Sequence, residues 1–230
     1  LVSDEVARLA GVRLTDNTLG QPRTTRSGEP GYCPPRPALV QGKVLFAGDA
    51  VAIIVAESLN QAKDAAERMD MEIEPLGALT VGSMARDDGA PVLHADCPDN
   101  EAFFYQAGDK DAVEAALKSA HHVTHLRVVI NRVTANTMEP RAVIGDYDKH
   151  AGQHVMYGAA QRPYSVRGQI AGNIFGVPET SVRVVAGDVG GSFGMKSMPY
   201  HEYPVIMLAA QQLGRPVKWT ADRSESCVSD

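Results

Sequence analysis

Positive charge is too thin in this chain for a nucleic-acid partner: 22 Lys and Arg stand against 28 Asp and Glu, scattered along the sequence, for a formal net charge of -6. Phosphate neutralisation needs clustered cations, so no nucleic-acid role is expected. Cysteine is equally sparse. Cys33, Cys97 and Cys227 lie far apart with no C-x-x-C between them, which excludes a spacing-encoded zinc knuckle or iron–sulfur cluster and leaves free thiols. Such usage suits a reducing, cytoplasmic setting. No apolar run approaches the roughly 20 residues of a membrane helix, so a soluble chain without a span is expected. A signal peptide and an initiator Met are also missing, and the last residues are polar. The sequence is therefore expected to be a piece of a longer protein.

At 230 residues the chain has room for one large or two small domains. Residues 1–37 are rich in Gly, Pro, Thr and Arg and read as loop. Val44 to Phe46 and Val51 to Val55 read as a hairpin turning on Ala47, Gly48 and Asp49. Ser58 with Gln61 has the form of a capping box, with Ala62, Ala65, Ala66 and Met69 at helical spacing and a strand, Met71 to Glu74, ending at Pro75. Residues 80–106 lack any sustained period and read as an extended connection. Asp109 caps a helix to Ser119, with Val113, Ala116 and Leu117 expected inward. Strands are expected at 123–133, 143–147 and 154–158, the last two joined by a turn at KHAGQ. A helix with Pro163 in its first turn puts Val166, Ile170 and Ile174 on one face and stops at Gly176 and Pro178. A short strand around Val182, Val184 and Val185 follows, then a glycine-rich loop, a helix from His201 to Leu213 closed by Gly214, and a strand from Val217 to Thr220.

That loop, Gly187 to Lys196, reads GDVGGSFGMK and holds four glycines in ten residues. Met195 separates Gly194 from Lys196, so the phosphate loop G-x-x-x-x-G-K-[ST] is not matched. Nor does the spacing of Gly187, Gly190, Gly191 and Gly194 give the dinucleotide fingerprint G-x-G-x-x-G. Gly190 to Gly194 does match G-x-S-x-G, the nucleophile elbow. A hydrolase, however, needs an acid and then a His after the Ser, and His201, Asp222 and Asp230 come in the wrong order. What the loop offers physically is successive backbone N–H groups unobstructed by Cβ atoms, a concave cradle for an anion or an oxo ligand. A tight turn needing positive φ would explain the same glycines.

Several separated stretches together decide the question. GDVGGSFGMK resembles the GGGFGGK loop of the xanthine dehydrogenase and aldehyde oxidase family, in its large, molybdenum-cofactor-binding subunit. VLFAGDAVAIIVAESLNQAKDAAERMDMEIEPL resembles that subunit's N-terminal hammerhead domain. NTMEPRAVIGDYD resembles the entry to the cofactor domain, and GAAQRPYSVRGQIAGNIFGVPETSVRVV the stretch from a cofactor-contacting Gln to the loop. Order and spacing agree from Leu39 to Asp230. The implied fold is α+β: a hammerhead-like α/β domain over 1–82, a connection and helix over 83–120, and over 121–230 the first part of a mixed α/β molybdenum-cofactor-binding domain.

On this resemblance Gln161 is the amide beside the metal's oxygen ligands, and Gly190, Gly191, Ser192, Phe193 and Gly194 form the loop passing the molybdopterin cofactor. No residue of this chain is assigned as a metal ligand. Ser192 stands where family loops carry Gly, so its backbone is expected to matter more than its hydroxyl. Met195 also replaces a Gly. Ser197 stands where purine-hydroxylating members carry Glu, which argues against purine specificity. Met138, Glu139, Pro140 and Arg141 match the family's MEPR stretch, for which a structural role is favoured, Glu139 and Arg141 fitting a local ion pair as well as they fit a site.

The implied activity is that of a molybdenum-dependent oxidoreductase, hydroxylating an aldehyde or N-heterocycle with oxygen from water. Electrons would pass to iron–sulfur and FAD partner subunits, and the remainder of the large subunit, with its acid–base Glu, would come from outside these residues. An aerobic carbon monoxide dehydrogenase is the alternative within the family, and a noncatalytic binding or assembly module the alternative outside it.

Overall fold

A computed structural model describes residues 24–34, 37–40 and 42–229. The chain divides into two compact units. One takes in the described residues of Pro34–Ala78 and Thr134–Asp230, the other those of Thr15–Cys33 and Leu79–Val133. Much of the expected loop at 1–37 lies outside the described residues.

The first unit is built on a four-stranded mixed sheet. β1 (Ala142–Asp148) and β2 (Gln153–Gly158) form an antiparallel hairpin, β3 (Val182–Val185) runs parallel to β2, and β4 (Val217–Thr220) pairs antiparallel with β1, giving the order β3-β2-β1-β4. The hairpin turn falls at KHAGQ as expected, with the Asp148 carboxylate accepting from the N–H groups of His150 and Ala151.

Between β2 and β3 lies the helix expected after Gln161. Its first part, Pro163–Gly168, opens with Pro at the position where the missing N–H costs nothing, and it continues as a π-helical stretch, Gln169–Phe175. Val166, Ile170 and Ile174 are buried together as the spacing predicts, and Gly176 closes the helix at φ 65°. Sequence spacing gave no warning of the π stretch, which begins without any proline or glycine pair to mark it.

The helix Glu202–Leu213 ends, as expected, on Gly214 at φ 65° and lies across β1. Its approach is close enough that a Cβ on Gly145 would stand 2.8 Å from the backbone of Met207. Val143, Met156, Tyr203, Ile206 and Met207 join the helix residues above in one core.

Arg141 is fully buried. It pairs with Glu202 at 3.2 Å, lies 4.2 Å from the Tyr200 ring centroid and hydrogen-bonds Ser229. Ser229 ends a helix, Arg223–Ser229, that the sequence reading missed. Its signal was Asp222, whose side chain accepts the Glu225 N–H at 2.7 Å three residues on.

Several expectations fail, and most fail for one reason. Residues 44–46 and 51–55 make a turn, with Asp49 N–H to Phe46 O at 3.2 Å, but no hairpin ladder; 71–74 and 123–133 are not strands either. A strand exists only with a partner, and no described residue pairs with these segments. The helix Leu59–Ala66 has both bonds of its Ser58/Gln61 capping box but ends before Met69 and buries nothing. In the second unit, Lys110–Ser119 is capped by Asp109 as expected, yet Val113 and Leu117 are exposed rather than inward. No described helix is long and apolar enough to cross a membrane.

Candidate functional site

Residues 187–196 leave β3 and cross above the segment 137–139. Thr137 is buried beneath Gly191, where a Cβ would come within 3.3 Å of its side chain, and a Cβ on Gly190 would come within 2.5 Å of Glu139 Cβ. At these two positions glycine is required by close approach. Gly191 and Gly194 also have positive φ, 99° and 101°, and between them Phe193 is held at φ 53°, a left-handed conformation costly for a bulky side chain. Phe193 is 80% exposed, so packing does not explain that strain.

One ionic contact locks the loop to its platform. Lys196, fully buried, donates from Nζ to Glu139 Oε2 at 2.8 Å and to the Glu139 carbonyl at 2.8 Å, while the same carboxylate oxygen accepts the Gly190 N–H at 2.9 Å. Burying an ammonium costs several kcal/mol unless a counter-charge and hydrogen bonds meet it, and Glu139 supplies both. Partial burial would raise the Glu139 pKa, but the hydrogen bond from Lys196, the Gly190 N–H and the Lys196 charge outweigh it, and the carboxyl lies below its ordinary value. The expected ion pair between Glu139 and Arg141 is therefore wrong. The chain bends at Met138 and Glu139, and the two side chains go to different partners, Glu139 to Lys196 and Arg141 to Glu202. The platform is held from its other side by Arg223, which donates to the carbonyls of Thr137 at 2.7 Å and Met138 at 2.9 Å.

Gln161, between β2 and the helix that follows, meets the loop directly. Its backbone N–H donates to Lys196 O at 2.9 Å. Its Oε1 accepts from Ser192 Oγ at 2.6 Å, Gly194 N at 3.1 Å and Ser197 Oγ at 2.9 Å. Gln161 and residues 190–194 are thus brought together. Ser192 corrects its expectation: the side chain is only 9% exposed, and its hydroxyl also accepts the Lys196 N–H at 3.1 Å, so it takes part fully. Nothing here activates it as a nucleophile. His201, the nearest imidazole along the chain, is engaged through Nδ1 with the Pro37 carbonyl at 2.8 Å.

Within Gln161 and residues 190–194, three donors have no acceptor among the described residues: Gln161 Nε2 and the backbone N–H groups of Ser192 and Phe193. A strained loop that leaves N–H groups unspent, beside an amide whose oxygen is already occupied, suits an oxo-bearing or anionic group. Gln161 and the loop, both named from the sequence, meet in the structure; Lys196, Glu139 and Ser197, which hold them there, were not named as working parts. Lys196 and Glu139 were both visible in the quoted stretches, though nothing in their spacing pairs residues 57 apart.

Residues 93–230 match the family described as the molybdopterin cofactor-binding domain. The chain is 32% identical over 200 residues to the carbon monoxide dehydrogenase large chain of Afipia carboxidovorans, covering 82% of this chain and 25% of that one. To the nicotine 6-hydroxylase large subunit of Paenarthrobacter nicotinovorans it is 31% identical, with 84% and 23% covered. Among solved structures it superposes on quinoline 2-oxidoreductase from Pseudomonas putida with a TM-score of 0.83 at 29% identity, covering 97% of this chain and 27% of that one. It spans about a quarter of the length of the curated relatives it matches.

Proposed function

The chain belongs to the molybdopterin cofactor-binding domain family, and on that premise we propose that it forms part of the large subunit of a molybdenum hydroxylase. The division into a hammerhead-like 1–82, a linking 83–120 and a partial cofactor domain 121–230 belongs to the same proposal, as does a cytoplasmic location. The observation that carries it is the meeting of Gln161 with residues 190–194, which leaves three N–H donors unspent at one strained loop. Those donors would hold the molybdopterin cofactor. When bound, it supplies the two-electron oxidation and the transfer of a water-derived oxygen.

The chain's own residues bind and orient. Gln161 Nε2 and the Ser192 and Phe193 N–H groups donate to charge-bearing oxygen or sulfur, the Glu139–Lys196 pair keeps the loop in place, and Gly190 and Gly191 keep its backbone close to the platform. None of the described groups at this site is placed as a general base. That role, with the iron–sulfur and FAD centres that accept the electrons, falls to other parts of the assembly. Relatives named for nicotine and quinoline favour an aromatic N-heterocycle as substrate, ahead of an aldehyde. The carbon monoxide dehydrogenase relative supplies carbon monoxide as the competing substrate.

The test is metal and pterin analysis of the native complex, with turnover on N-heterocycles, aldehydes and carbon monoxide. Stoichiometric molybdenum and pterin are expected, and Gln161→Ala should lower turnover about a hundredfold with metal retained, the scale for losing one preorganised donor. Absence of both metal and pterin would make the chain a noncatalytic module.

A further inference from the structure

We infer that Ser192 and Ser197 are positioning residues that hold the Gln161 amide in the orientation the Gly194 N–H sets, so that Gln161 can only donate to the group it faces. This rests on the cofactor reading above.

Of the three bonds reaching Gln161 Oε1, one comes from a backbone N–H and two from hydroxyls. A backbone N–H only donates, so the side-chain atom 3.1 Å from Gly194 N has to be the carbonyl oxygen. With the amide oxygen so placed, the Ser192 hydroxyl is left as its donor. It accepts the Lys196 N–H at 3.1 Å, and its single proton is directed to Gln161 Oε1 at 2.6 Å. Ser197 adds a second hydroxyl at 2.9 Å. Turning the amide over would set an NH2 group against the Gly194 N–H, where no hydrogen bond can form, although either serine hydroxyl could turn to accept from it. The unflipped amide leaves both Nε2 protons with no acceptor among the described residues.

The two hydroxyls, from residues five apart in the loop, end on one oxygen atom. The consequence is chemical: the group opposite Gln161 has to be an acceptor, such as an oxo or carbonyl oxygen. A group that needs to donate there finds no partner.

The experiment uses the full-length subunit in its assembled complex. It compares Ser192→Gly, Ser197→Ala, their combination and Ser192→Thr with Gln161→Ala. Molybdenum and pterin content, turnover and the metal–oxo stretching frequency by resonance Raman are measured on each. The combined variant is expected to keep its metal, lose about tenfold in turnover, the scale of one hydrogen bond, and shift the stretch toward that of Gln161→Ala. Ser192→Thr retains the hydroxyl and, whatever its turnover, is expected to leave the metal–oxo stretch where wild type has it. Added to Gln161→Ala, the serine changes should do nothing more.

A serine effect that persists undiminished in the Gln161→Ala background would overturn the inference. So would a stretch that moves in Gln161→Ala but not in the combined variant. Loss of molybdenum from the combined variant would assign the serines to structure and overturn it too. If Gln161→Ala leaves stretch and turnover unchanged at full metal, or if wild type carries no metal, the cofactor reading itself falls and takes this inference with it.

Discussion

Burial sets the acid behaviour of His154. Its ring lies in β2 between Tyr147, 4.9 Å away, and Phe175, 4.6 Å away, and burial lowers its pKa from the ordinary value. The unfolded chain, with His near 6.5, therefore takes up a proton at a pH where the folded state stays neutral. Stability is expected to fall as pH drops below about 6.5, until the folded value is reached. Urea midpoints at pH 7.5 and 5.5 should differ in wild type and differ less in His154→Phe. Glu139 works in the same direction lower on the scale. Its depressed carboxyl pKa adds stability above about pH 4.3 that is lost on acidification. Glu139→Gln leaves the fully buried Lys196 ammonium without its counter-charge, and a cost of about 3 kcal/mol is expected in denaturant titration. At this scale the sequence was informative where a motif constrains one residue type, as at Gln161 and Gly191. It was silent on the partner of Lys196, because an ion pair across 57 residues leaves no trace in local spacing.

Among the elements, those marked by a local signal, a cap, a stop or an apolar face, were legible. The capping box at Ser58, the Asp109 cap, the apolar face of Val166, Ile170 and Ile174 and the Gly214 stop all stand as the sequence indicates. The helix Arg223–Ser229 was missed because it has no apolar face, its buried residue being Ser226 while Val228 is exposed, although it supplies Arg223 to the platform. Gly145 shows what sequence cannot express: a glycine in mid-strand, at negative φ, kept because a helix backbone lies against it. Gly145→Ala would force β1 and Glu202–Leu213 apart and is expected to cost about 1–3 kcal/mol, read as a lowered Tm. Because β1 leads directly from the platform at 137–139, the same variant should also weaken cofactor retention. Normal metal content in a destabilised Gly145→Ala protein would show that the platform does not depend on that packing.

For the whole molecule, the misassigned strand at 123–133 is the informative failure. A high content of β-branched residues wrote a strand there, yet Leu126 is 84% and Ile130 90% exposed and no described residue pairs with the segment. Contiguous exposed apolar side chains on extended backbone are rare in a monomer and mark surfaces that another chain segment covers. A chain spanning about a quarter of its relatives has such segments to receive, and the proposed large subunit supplies them. Amide hydrogen exchange on the full-length subunit and on the 230-residue chain alone tests this directly. Residues 123–133 are expected to exchange within seconds in the short chain and to be protected by at least a hundredfold in the full subunit, because a paired strand opens only with its neighbours. Equal, fast exchange in both would mean that the segment stays uncovered, and that its apolar pattern serves a partner outside the subunit.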